Sequence, residues 1–279
     1  MPTLGPRLPT LYIPHGGGPC FFMDWTMGPP DTWARTASYL RGIDATLLGK
    51  PQSLLVISGH WEAKVATVTG SKAPRLIYDY SGFPPHTYEL TWPAPGSPEL
   101  ASRVRELLSF AGIASEESTD RGFDHGVFIP LKVAYPEAQL PTVQLSLQSG
   151  LDPRAHLAIG RALAPLRDEG VLIVGSGMSY HNMRSFMTSA ALSDSTEFDG
   201  WLARSVSKLP PGRDSDLEHW QEAPRARACH PREEHLLPLM VAAGAGSSDP
   251  GRIDFRDVVM GSVVSAIRFG EGLSPAELG

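Results

Sequence analysis

Apolar residues in this chain gather into short dense runs: Thr10-Leu11-Tyr12-Ile13, Leu54-Leu55-Val56-Ile57, residues 65–69, residues 142–147 and Val171-Leu172-Ile173-Val174. Runs such as 54–57 lack a period of two, the pattern of strands covered on both faces. Between the runs lie helix-like segments around 98–111, 153–168, 197–208 and 233–243. That alternation predicts βαβ units, and so an α/β fold with a central, mainly parallel sheet flanked by helices. Ser97 is placed to cap the helix that opens at Pro98, and Asp152 to cap the one that opens at Pro153. The run Val258-Val259-Met260-Gly261-Ser262-Val263-Val264 predicts a final strand, followed by a frayed tail over 269–279. Pro- and Gly-rich connections at 82–98 and 209–213 carry interleaved aromatics or fixed turns and read as ordered loops, not tethers. With no internal repeat, residues 1–279 read as one large domain.

Composition narrows the function. At 279 residues and 42% hydrophobic content the chain can bury a large core. Its net charge of -6 comes without a Lys/Arg-rich run, which argues against nucleic acid and for small molecules as partners. No apolar stretch reaches the 18 residues or so of a membrane helix, and Met1-Pro2-Thr3-Leu4-Gly5-Pro6-Arg7 lacks the order of a signal peptide. The expectation is a soluble, cytoplasmic protein with no membrane contact. Cys20 and Cys229 are too few for a disulfide framework and read as buried thiols.

Chemistry concentrates in histidines that follow the apolar runs: His15, His60 and His181. Loops after the strands of a parallel sheet converge on one crevice, so imidazoles delivered there can build a metal or acid–base site. His15 opens His15-Gly16-Gly17-Gly18-Pro19, whose bland reading is a tight turn. The His-Gly-Gly-Gly element of lipases needs a G-x-S-x-G partner, and none occurs here. Phosphate-loop, dinucleotide and H-E-x-x-H patterns are equally missing. His125 lies in a Gly-bracketed turn, with Asp124 as a turn former. In His230-Pro231-Arg232-Glu233-Glu234-His235, Pro231 suggests a helix start, so His230 and His235 would not share a face and one at most would reach a metal. Glu233 or Glu234 is the alternative ligand, or a partner of the helix dipole. His156 and His219 read as surface residues. Two or three neutral imidazoles with an open position suit Zn, Fe(II), Cu or Ni.

Taken in order, Pro14-His15-Gly16-Gly17-Gly18-Pro19, Ile57-Ser58-Gly59-His60-Trp61-Glu62, Gly82-Phe83-Pro84, Gly122-Phe123-Asp124-His125-Gly126, Gly175-Ser176-Gly177 with His181-Asn182, and Glu234-His235-Leu236-Leu237-Pro238-Leu239 form a set. Over residues 10–245 this set resembles the class III extradiol ring-cleavage dioxygenases, and within them the 4,5-DOPA dioxygenase branch. The resemblance implies that His15, His60 and His235 hold one non-haem Fe(II), with Zn(II) as a possible occupant of the same three imidazoles. It matches His125 and His181 to the family's acid–base histidines, with His181 also considered as a fourth ligand. It further implies cleavage of a catechol, DOPA-like or otherwise substituted, with O2 to a muconic semialdehyde-type product. Two competing readings are a zinc hydrolase built on the same imidazoles and a catalytically silent binder of aromatic ligands. Arg184, Lys132 and Tyr80 are candidates for contacts to a substituent on the ring.

Overall fold

The computed structural model describes residues 6–273. Its strands are β1 (Thr10–Pro14), β2 (Ser53–Ala63), β3 (Ala66–Thr69), β4 (Ser115–Ser118), β5 (Thr142–Gln148), β6 (Val171–Gly177), β7 (Gly251–Val259) and β8 (Ser262–Phe269). The helices are α1 (Ala34–Gly42), α2 (Pro98–Phe110), α3 (His125–Ala134), α4 (Pro153–Leu163), α5 (Ser189–Val206), α6 (Gly212–Glu218), α7 (Ala226–Cys229) and α8 (Leu237–Gly246). All eight strands form one sheet in the order β4-β3-β5-β2-β6-β1-β8-β7. The central pairs β5–β2, β2–β6 and β6–β1 are parallel, and antiparallel pairing joins β3 to β5 and β8 to both β1 and β7. The expected α/β architecture is therefore present.

The dense runs explain where the core lies. Successive residues of a strand face opposite sides, and here each side is covered. Leu55, Ile57 and Ile173 join one buried cluster with α2, α4, α5 and α8, whereas Leu54, Val56, Leu172 and Val174 join another with α1 and α3. Both expected caps form: Ser97 accepts from the Leu100 amide at 3.1 Å and Asp152 from the Arg154 amide at 2.9 Å.

Several local expectations give way. Residues 258–264 are a hairpin, not one strand, because Met260 and Gly261 both take positive φ (51° and 74°) and reverse the chain between β7 and β8. Phe269 ends β8 fully buried and the Leu273 amide donates to the Thr46 carbonyl at 2.9 Å, so the described part of the expected tail is packed. Positions 274–279 lie outside the described residues. The helix expected near Pro231 starts at Leu237, and His125 opens a helix where a turn was expected. His156 is buried: its Nδ1 faces the Asp152 carbonyl at 2.7 Å and its Nε2 accepts from the Gln148 amide at 3.1 Å. His219 is exposed, and both cysteines are buried, as read.

Candidate metal centre and active site

β2, β6 and β1 lie side by side and run the same way, so their carboxyl ends deliver side chains to one crevice. His15 is the first residue after β1. His60 lies inside β2, not past its end, at a break in pairing with β5 between Ile57 and Glu62. His181 follows β6, and His235 sits on the loop that enters α8. That loop is tied down from below, since the Tyr12 hydroxyl and the Met178 amide both donate to the His235 carbonyl, at 2.7 and 3.2 Å.

His15, His60 and His235 come together. The Nε2 of His60 is 3.3 Å from that of His15 and 3.2 Å from that of His235. Nδ1–H of His15 donates to the Gly16 carbonyl at 2.8 Å, and Nδ1–H of His235 donates to the Glu234 carboxylate at 2.9 Å. With Nδ1 so engaged, each neutral ring keeps a lone pair at Nε2. One proton on His60 could satisfy only one of its two neighbours. A cation satisfies all three, and the donor set of three imidazoles suits a transition metal.

The charge state agrees. Burial, then the neighbouring imidazoles, holds His15 and His60 well below the usual 6.5. Burial also pulls His235 down, to about 4, against the opposing pull of the Glu234 carboxylate. These rings are neutral near pH 7, the state a metal ligand needs.

Two carboxylates stand behind the imidazoles. Asp79 accepts from His125 at both its Nδ1 (2.8 Å) and its backbone amide (2.9 Å), and lies 3.6 Å from Nδ1 of His60. Glu234 lies 2.9 Å from Nδ1 of His235 and 3.3 Å from Nδ1 of His181. Burial alone would raise both acids, but their imidazole partners hold each below the ordinary carboxylate range. Sequence reasoning missed Asp79, which sits in Tyr78-Asp79-Tyr80 with no glycine or histidine beside it to mark it. Glu234, the alternative ligand of the sequence reading, lies against Nδ1 of His235, while Glu233 pairs with Arg227 at 2.6 Å.

Asp124 proves to be more than a turn former. It is fully buried, and its carboxylate accepts from Ser58 (2.8 Å), Arg121 (3.0 Å) and Gln144. The Ser58 hydroxyl in turn accepts from the His60 amide at 3.2 Å, so one buried acid ties the start of α3 to the His60 bulge. Gly126 permits that approach, because a Cβ there would sit 2.3 Å from Ser58 Oγ and 2.9 Å from the His60 ring.

His125 and His181 flank the trio. His125 packs against His60 with ring centroids 3.9 Å apart, and its tether to Asp79 leaves Nε2 for a ligand. His181 stacks on His235 at 3.4 Å with an 18° tilt. Ligand atoms within 4.8 Å of one another group His15 with His60 and His235, His125 with His60 and Asp79, and His181 with Glu234 and His235. His230 is elsewhere, buried with its Nε2 at 3.0 Å from the Ser179 carbonyl. The site opens into a cavity of about 330 Å³ walled by Gly16 to Gly18, Tyr80, methionines and aromatics. Lys132 is not in that wall; its Nζ donates to the Thr91 carbonyl at 2.7 Å. Arg184 is exposed and also outside it.

The family described as "Catalytic LigB subunit of aromatic ring-opening dioxygenase" matches residues 9–266. This chain belongs to the LigB family of class III extradiol dioxygenases. The chain is 43% identical over 202 residues to the "4,5-DOPA dioxygenase extradiol" of Portulaca grandiflora, covering 71% of this chain and 73% of that one. It is 33% identical over 261 residues to the protein of the same name from Escherichia coli (strain K12), covering 92% of each. Its fold matches a crystal structure described as "uncharacterized protein JW3007 from Escherichia coli K12", with TM-score 0.75, 30% identity and coverage of 95% and 100%. Membership makes the chain a ring-cleavage dioxygenase and agrees with a metal in the histidine cluster. Among the described residues no helix is long and apolar enough to cross a membrane.

Proposed function

We propose that this protein opens the ring of a catechol beside its hydroxyls with O2, using one Fe(II) held by His15, His60 and His235. The observation that carries the reading is the Nε2 of half-buried His60 lying 3.3 and 3.2 Å from those of buried His15 and His235, all three rings neutral, in a chain of a ring-opening family. When bound, the metal supplies a template on which diol and O2 sit in adjacent positions, plus a path for electron density between them. One ring C–C bond breaks, both atoms of O2 enter the muconic semialdehyde-type product, and no outside reductant is needed.

The chain's own work is proton handling and enclosure. His125, oriented by Asp79 through Nδ1, presents Nε2 to a catechol hydroxyl and takes its proton. His181, with Nδ1 beside Glu234, serves as the second proton-transfer group from the opposite flank. Asp79 and Glu234 stabilise each imidazole in the orientation its role requires. Aromatic and methionine walls keep bulk water from the reacting ring.

The test is anaerobic reconstitution with Fe(II), followed by catechol and a measured pulse of O2. The reading predicts one O2 consumed per ring opened, with yellow semialdehyde, and no such product from zinc-loaded protein. Oxygen-independent hydrolysis by the zinc form, with no ring opening by the iron form, would instead favour a zinc hydrolase.

A further inference from the structure

Among the described residues, the wall of the cavity that faces the histidines carries no lysine, arginine, aspartate or glutamate side chain. Beyond the imidazoles, the side chains of the wall are mostly apolar, Met27, Met183, Met260, Trp33, Phe83 and Phe186 among them, with Ser81 and Tyr80 as the neutral polar ones. Tyr80 is not a free polar contact, because its hydroxyl already donates to the Thr87 carbonyl at 2.5 Å. Asp79 and Glu234 lie behind the rings and are taken up by them.

Apolar character continues outward. Met27 is 47% exposed and Met183 70%, and Met27 and Met260 also border a second groove, lined in part by Met187 and Val258, which are 60% and 54% exposed. Exposed apolar side chains clustered at the mouth of a site are a recognition surface more often than a chance. Charged side chains lie only in that outer groove: Asp31, and Arg35, whose guanidinium is taken up by Asp257 and the Arg256 carbonyl. A carboxylate or ammonium carried along the methionine and aromatic wall would lose water and find no charged side chain beside it.

We infer, granting the catechol reading above, that the preferred substrate is a catechol with an uncharged, apolar ring substituent, not an amino-acid or carboxylate-bearing one. The diol faces the imidazoles and the substituent runs along the methionine and aromatic wall toward Met27 and Met260. Methionine suits this surface, since its flexible thioether adapts to substituents of different shape.

The experiment compares 4-butylcatechol, 3-(3,4-dihydroxyphenyl)propionate and DOPA as substrates of the Fe(II) enzyme. Their binding to zinc-loaded protein is followed in parallel by quenching of Trp25 and Trp33 fluorescence. The expected result is a kcat/KM and an affinity for butylcatechol higher by about tenfold or more than for either charged compound. Met183→Lys, at an exposed rim position, should then raise relative kcat/KM for the propionate. Equal or better use of DOPA or the propionate by the unmodified enzyme overturns the inference. If no compound is cleaved, the dioxygenase reading fails, and the binding order alone still decides this one: charged compounds binding as well as butylcatechol refutes it.

Discussion

Two triads in the site share one plan and differ in emphasis. In each, a carboxylate sits between an imidazole of the proposed metal trio and an imidazole outside it: Asp79 between His60 and His125, Glu234 between His235 and His181. Asp79 is tight on the outer ring, 2.8 Å from His125 against 3.6 Å from His60. Glu234 is tight on the inner ring, 2.9 Å from His235 against 3.3 Å from His181. The difference teaches that similar acids can support separate tasks. In the proposed mechanism Asp79 chiefly aims a proton-transfer group, and Glu234 chiefly raises the basicity of a ligand.

The strongest way to break this comparison is to remove rings. His15→Ala or His60→Ala should abolish bound iron and turnover together, whereas His125→Ala should keep the iron and lose roughly 10²–10⁴-fold in kcat. Metal analysis beside kinetics checks both, and an empty site in His125→Ala would reverse the roles. Carboxylates come next. Glu234→Gln should weaken metal affinity by roughly 10- to 100-fold with a smaller loss of kcat at saturating iron. Asp79→Asn should do the opposite, keeping affinity and lowering kcat by roughly tenfold or more. Indistinguishable effects from the two variants would remove the proposed division of labour.

The smallest effect is on stability and follows from burial of neutral rings. His235, held at about 4, and His230, held at about 3, take up protons in the unfolded chain first. Stability is complete above the unfolded value near 6.5 and falls as pH drops from there toward the folded values. For metal-free protein each should cost about 2 kcal/mol by pH 5. Urea midpoints at pH 8 and pH 5 measure this, and His230→Gln, far from the trio, should flatten part of the slope. An unchanged midpoint would show that these rings are not buried neutral.

Much of this was legible in the chain, for physical reasons. Strands covered on both faces must be apolar throughout, so β1, β2, β5 and β6 stand out, and histidines beside such runs have to lie near one edge of the sheet. α3 was hidden because nine of its ten residues are buried and Pro130 lies inside it, which erases the amphipathic period. The β7–β8 reversal was hidden because Met260 at positive φ is no turn signal. Pro231 misplaced the last helix, since hydrogen bonds from Tyr12 and Met178 hold the His235 loop open until Leu237. Asp79 meets its partners, His125 and His60, only across sequence-distant contacts, which local spacing cannot reveal.

The most direct test of the central claim is a crystal grown anaerobically with Fe(II) and examined by anomalous scattering at the iron edge. The account predicts a single peak about 2.1 Å from the Nε2 atoms of His15, His60 and His235, with open positions toward the methionine-lined cavity. A peak held by other side chains, or an iron-free trio in protein that opens catechol rings, would contradict it.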